Sequence, residues 1–205
     1  PRYDFVNRIM TFRLDVRWRK RTVKALDLET GSVVIDLACG TGDFCTELEK
    51  VGMKALGFDF SMGMLEAGRS SSPLSQSDVL SLPIRSASID GATCGFALRN
   101  LTELGPFFTE VARVLKQGGR FGFLDVAEPE SKILNWGHHL YFDRVVPKVG
   151  ALLSDKSAYT YLPKSVSYLP THEKIVEMIE DAGFQNVHRR LFVPGSAQLF
   201  TGEKI

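Results

Sequence analysis

The apolar positions change rhythm several times along the chain. Val33-Val34-Ile35 runs without a break into Asp36-Leu37-Ala38-Cys39-Gly40-Thr41-Gly42, after which Phe44, Leu48 and Val51 recur at helical spacing. A β-branched run, a glycine-rich corner and a 3.6-residue period predict a buried strand turning sharply into a helix over 43–51. Leu56-Gly57-Phe58-Asp59 closes a second strand that begins at Lys54, and Ser61 is placed to cap a helix over 62–67. The polar stretch 70–77 leaves room for a brief third strand ending at Asp78-Val79, and Leu82-Pro83 then turns the chain. Ile89–Phe96 reads as a fourth strand whose end is rich in small residues. Phe107, Val111 and Leu115, with Phe108 and Ala112, form the core face of a helix ended by Gly118-Gly119. Phe121–Val126 is the fifth strand, 173–182 a helix stopped by Gly183, and 187–193 with 196–201 two antiparallel closing strands.

Upstream of the first strand, 3–11 and 14–27 read as short helices with a partial stripe of Trp18, Val23 and Leu26. Between 128 and 170 apolar and aromatic residues continue without a period, as in an insertion laid over a pocket. The expectation is an α/β chain of one domain, 1–205. It has a seven-stranded, mostly parallel Rossmann-like sheet, an antiparallel last strand and helices on both faces. Residues 1–30 form a helical lid and 128–170 a substrate-covering insertion.

Composition narrows the setting. A 205-residue chain with 44% hydrophobic and 24% charged residues is large enough to bury its own core. Cys39, Cys45 and Cys94 are odd in number and show no C-x-x-C spacing, which argues for a reducing, cytoplasmic setting and against disulfides or zinc. No apolar run approaches a membrane span and no signal peptide is read. The first residue is Pro1, consistent with removal of a leading segment. The net charge of +1 conceals a basic arm: Arg2, Arg8, Arg13, Arg17, Arg19, Lys20, Arg21 and Lys24 face only Asp4 and Asp15. Such an arm suits anionic lipid or nucleic acid, or is simply a solvated helix face.

The ligand of the glycine corner follows from its acids. A dinucleotide site would have a third glycine where Cys45 stands, and Asp36 and Asp43 would repel a pyrophosphate. Carboxylates here suit a cationic ligand such as S-adenosylmethionine, with Gly40 and Gly42 admitting it against the backbone. Asp59, seventeen residues beyond Gly42, is placed for the ribose hydroxyls. Asp78 suits the exocyclic amine of adenine, Val79 its ring face, and Gly95 a close approach of the cofactor. The competing reading is a bare strand–helix turn with capping acids.

Beyond these motifs the chain resembles the UbiE/COQ5 C-methyltransferases of menaquinone and ubiquinone biosynthesis. The resemblance rests on Tyr3-Asp4 with Asn7 and Met10, Trp18-Arg19, Asp36–Asp43, Asp59-Phe60-Ser61, Met64-Leu65 and Leu98-Arg99-Asn100. In the insertion it rests on Tyr141-Phe142, Pro147, Gly150, Tyr159, Tyr161-Leu162, Ser165 and Pro170. Arg113–Lys116 with Gly118-Gly119-Arg120 is shared by many methyltransferases. The resemblance implies a class I fold and donor contacts at Thr41, Asp59, Asp78 and Val79, and Phe60 beside Asp59 is a further candidate for the cofactor site. It also implies a substrate-side loop at Leu98-Arg99-Asn100, with Tyr3 and Tyr141 as candidates to flank the ring, and Asn7 is a further candidate on the substrate side. The chain departs from the family pattern at Gly95-Phe96-Ala97, Arg13-Leu14-Asp15, Val126-Ala127 and Phe200, mostly on the substrate side.

The implied reaction moves a methyl group from S-adenosylmethionine to a ring carbon of a polyprenylated hydroquinone, demethylmenaquinol first. The ring must be reduced, because a carbon beside an ionising hydroxyl is nucleophilic. Arg99 is expected to stabilise the phenolate or hold a proton-carrying water, with a structural ion pair as the alternative. Asn100 would orient ring oxygen or cofactor. His138 and His139 lie in the insertion, and His172 and His188 read as surface residues. The basic arm and the apolar insertion imply peripheral contact with the inner face of a membrane. No nucleic-acid module is recognised, and homo-oligomer formation is left open. Rival readings are methylation of a small phenolic acceptor or of RNA, and a donor-binding protein without turnover.

Overall fold

A near-continuous apolar strand, β1 (Val33–Leu37), is buried inside the sheet, third in a row of seven. In this computed structural model, which describes residues 14–127, 169–192 and 197–205, β2 (Lys54–Asp59) and β4 (Ile89–Gly95) flank it in parallel. The short β3 (Leu74–Gln76) extends the sheet beyond β2, and β5 (Leu115–Val126) lies beside β4. The chain then returns through β6 (Phe184–Phe192) and β7 (Ala197–Lys204). β7 inserts antiparallel between β5 and β6, giving the order β3-β2-β1-β4-β5-β7-β6. The connections leave β1 toward β2 on one side and resume at β4 on the other. The ends of β1 and β4 therefore border the switch point where such sheets take ligands.

Alternation along each strand sorts the core into two layers. Val34, Leu124 and Leu199 meet α1 (Leu14–Leu26) and α2 (Asp43–Glu49) through Trp18, Val23, Leu26, Phe44, Cys45 and Leu48. Ile35, Leu37, Phe121 and Phe123 meet α4 (Leu104–Val114) and α5 (His172–Asp181) through Phe107, Phe108, Val111, Ile175 and Ile179. The short α3 (Met62–Glu66) follows β2. Helix α1 packs closely: a Cβ on Gly122 of β5 would stand 2.8 Å from the Thr22 methyl.

The pattern-based elements fall within a few residues of these bounds, with three instructive differences. The third strand ends at Gln76, and Asp78 belongs to the next turn, where its Oδ1 accepts the Leu80 N–H at 2.9 Å. Helix α4 stops at Val114 rather than at Gly118-Gly119, because Leu115 already pairs with Ile89. The glycines occupy an irregular start of β5, with Gly118 at φ +72°. The closing strands are longer than their alternation suggested. The expected helix over 3–11 and the insertion up to residue 168 lie outside the described residues.

Candidate active site

Asp36 lies on the α1-facing side of β1 and is buried, with Thr93 of β4 beside it in register. The Thr93 hydroxyl donates to Asp36 Oδ1 at 2.9 Å. Burial pushes this carboxyl up to about 7, against the Thr93 hydrogen bond and the charge of Arg19. Beyond Leu37 the backbone turns out of the sheet through left-handed positions at Ala38 (φ 52°), Gly40 (56°) and Gly42 (84°). Two are glycines, for which this is free. For Ala38 it costs about 1–2 kcal/mol, a strain of the kind that collects at functional sites.

Asp59 ends β2 and ties the next loop to this corner. Its Oδ2 accepts the Gly40 N–H at 2.7 Å and its Oδ1 the Ser61 N–H at 2.8 Å. Each oxygen retains a second lone pair for a diol. Phe60 beside it is 76% exposed, an uncovered aromatic where an adenine would lie. Ser77 N donates to the Asp59 carbonyl at 3.0 Å, which draws the Asp78-Val79 turn to the same edge. Val79 is buried and Asp78 exposed. Asp36, Gly40, Thr41, Gly42, Asp59, Phe60, Asp78 and Val79 thus share one end of β1–β3.

Gly95 ends β4 and has a packing role. A Cβ there would meet the Phe44 ring at 2.5 Å, so the missing side chain makes room for Phe44 of α2. Phe96, the next residue, is left-handed at φ 60°.

After β4 a single 3-10 turn, Leu98–Asn100, carries Arg99 and Asn100 and is anchored by buried Leu98. The Arg99 side chain is 8% exposed and pairs with the fully buried Asp125 near the end of β5. Asp125 Oδ2 also accepts the Arg99 backbone N–H at 3.2 Å, and its Oδ1 accepts the guanidinium NH1 and the Val126 N–H. Asp125 was missed by motif reading. Its signal was a lone acid in an otherwise apolar buried strand, which demands a partner. The ion pair considered for Arg99 therefore exists, and it fixes the guanidinium next to the donor corner. Asn100 is exposed beside it. Tyr3, Asn7, Tyr141, His138 and His139 lie outside the described residues.

Two other groups are accounted for. Cys39, Cys45 and Cys94 are buried, and burial pushes all three thiols up, so none is an activated nucleophile. Arg113, of the widely shared stretch, staples the loop after β3 by donating to the Leu82 and Ile84 carbonyls while pairing with Glu110.

The donor set is acidic where a ligand's positive end would lie and apolar where an aromatic base would lie. These residues fit S-adenosylmethionine: Asp36 toward its cationic end, Asp59 for the ribose, Asp78, Val79 and Phe60 for the adenine. Fold and site together define a class I S-adenosylmethionine-dependent methyltransferase. The same fold occurs in a methyltransferase of Aquifex aeolicus, at TM-score 0.70 and 16% identity over 98% of both chains. It occurs also in phosphoethanolamine N-methyltransferase 2 of Haemonchus contortus, solved with S-adenosyl-L-methionine. That match has TM-score 0.70 and 13% identity over 92% of this chain and 52% of the other.

The chain belongs to the ubiE/COQ5 methyltransferase family, whose model matches residues 1–204. The ubiquinone/menaquinone biosynthesis C-methyltransferase UbiE of Geobacter sulfurreducens is 35% identical over 216 residues, covering 100% of this chain and 84% of its own. The demethylmenaquinone methyltransferase of Roseiflexus castenholzii is 38% identical over 211 residues, covering 98% and 88%.

Proposed function

We propose that this methyltransferase methylates the ring of a polyprenylated hydroquinone, converting demethylmenaquinol to menaquinol. The observation that carries the reading is the Arg99–Asp125 pair, which holds a permanent cation on the sheet edge beside the donor corner. When bound, the donor supplies an electrophilic methyl group on a positively charged sulfur. The chain's own residues then have two tasks. The acids at the ends of β1 and β2 hold the donor in one orientation, and alignment of this kind can remove about 7–11 kcal/mol of a bimolecular barrier. On the acceptor side, Arg99 stabilises the ring oxygen as its proton passes to water. Once the ring carbon carries the methyl group it gives up its hydrogen as a proton, the oxygen regains one, and the ring is an aromatic hydroquinone again. A guanidinium has five N–H donors, so pairing with Asp125 leaves others for that oxygen. Asn100 orients the ring from the same turn. The relatives named for quinone methylation support this acceptor.

The acceptor's tail is lipid. Among the described residues no helix is long and apolar enough to cross a membrane. Arg17, Lys20, Arg21 and Lys24 are exposed along α1, a basic face that supports peripheral binding to anionic lipid on the inner side of the membrane.

Methyl-labelled S-adenosylmethionine offered with acceptors in detergent micelles tests the reading. The expected product is one methyl heavier and forms with reduced demethylmenaquinone and not with the oxidised quinone. Labelling of benzoquinols, soluble phenols or RNA in its place would move the acceptor. Co-sedimentation with vesicles that is indifferent to anionic lipid would remove the membrane contact.

A further inference from the structure

One basic residue of α1 points inward while its neighbours face solvent. The Arg19 side chain is 15% exposed. Its NH1 lies 2.7 Å from Asp15 Oδ2 and its NH2 3.3 Å from Oδ2 of Asp43, the first residue of α2. Its guanidinium carbon stands 5.6 Å from the centre of the Phe96 ring and 5.9 Å from that of Phe44. Phe44 follows the glycine corner and Phe96 follows β4, so Arg19 spans the two strand ends that border the switch point. Its charge is also the positive field acting on Asp36.

The donor brings three charged groups to this place: a sulfonium, an ammonium and a carboxylate. Asp36, Asp43 and Asp59 suit the first two and repel the third. We propose that Arg19 receives the α-carboxylate of the donor's methionyl end, so that helix α1 forms a wall of the donor site. This rests on the assignment of S-adenosylmethionine to the glycine corner. The guanidinium is a planar fork of five donors, matched to a carboxylate and not exhausted by one contact each to Asp15 and Asp43. The two rings limit where its plane can lie. The basic surplus of the amino-terminal region therefore divides by function. Arg17, Lys20, Arg21 and Lys24 face outward, and Arg19 serves the site.

Calorimetric titration of the full chain with three ligands tests this. S-adenosylmethionine and S-adenosylhomocysteine carry the carboxylate, whereas 5′-methylthioadenosine keeps adenine, ribose and sulfur but lacks the amino-acid end. Loss of a charge-assisted contact in Arg19→Gln should weaken the first two by about 10- to 100-fold and leave 5′-methylthioadenosine binding unchanged within twofold. Arg19→Lys, which keeps the charge without the fork, should fall between. Should the Gln variant not fold, the Lys variant carries the same comparison. Equal weakening of all three ligands, or of none, would make Arg19 only a fastener between helices and overturn the inference. If the unmutated chain binds neither S-adenosylmethionine nor 5′-methylthioadenosine, it is the donor assignment itself that fails.

Discussion

The ends of β1 and β2 and the ends of β4 and β5 lie side by side on one sheet edge, yet they are built on opposite electrostatic plans. At β1–β2 the acids are held by backbone N–H groups and a hydroxyl: Asp59 by Gly40 and Ser61, Asp36 by Thr93. Arg19 sets a positive field at Asp36, and what negative charge remains is left for a cationic ligand to answer. At β4–β5 a buried carboxylate and a guanidinium answer each other, and the product is a fixed orientation. Under the proposed function the donor half attracts, whereas the acceptor half positions. One consequence is that the two halves should fail differently when damaged.

The largest difference is expected in stability. Asp125→Ala strands the Arg99 guanidinium in a nearly closed site, and breaking a buried pair costs about 3–5 kcal/mol. Asp59→Ala removes an acid that borders solvent and should cost about 1–2 kcal/mol through its lost backbone bonds. Denaturant midpoints of the two variants, compared with the unmutated chain, check this. Equal losses would erase the contrast.

Gly95→Ala probes the seam between the halves. Its Cβ would meet the Phe44 ring at 2.5 Å, and overpacking of this kind costs about 1–3 kcal/mol. A thermal scan should show the drop, and a second substitution, Phe44→Leu, should relieve part of it. Full stability of Gly95→Ala would contradict the close approach of Phe44.

A smaller effect sharpens the donor side through pH. Burial holds the Asp36 carboxyl near 7, so below that pH it carries a proton that a cationic ligand must expel. S-adenosylmethionine affinity should therefore weaken as pH falls from 7.5 to 5.5, by up to about tenfold per unit at the steepest. Asp36→Asn should flatten the dependence. The ligand-free protein runs the other way. A raised folded-state pKa contributes stability that is full below about 4 and is lost as pH rises through about 7. A pH-independent dissociation constant would contradict this account of Asp36.

The same contrast explains what was legible in the sequence. Asp36, Gly40, Gly42 and Asp59 act through turns and strand ends close to themselves, and a local motif records such geometry. Arg99 and Asp125 lie 26 positions apart and meet only because β4 and β5 pair. The Leu98-Arg99-Asn100 motif could be read, but its partner could not. The packing role of Gly95 could not be read for a similar reason. Smallness at a strand end looks the same whether the neighbour is a ligand or Phe44 of another element. Arg19 was hidden within a run of bases whose inward and outward members only the packing of α1 separates. The strand limits at Gln76 and Leu115 were missed because an Asx turn at Asp78 and a long-range pairing with Ile89 overrode the local pattern.

The division between an attracting and a positioning half is tested most directly on Arg99→Ala. On a single preparation, S-adenosylmethionine binding would be measured by calorimetry and methyl transfer to reduced demethylmenaquinone in a single turnover. Loss of one positioned charge-stabilising group predicts that transfer falls by about 100- to 1,000-fold, while the donor's dissociation constant stays within about threefold, a change of under 1 kcal/mol. Transfer at the unmutated rate, or a donor affinity that collapses along with transfer, would contradict it.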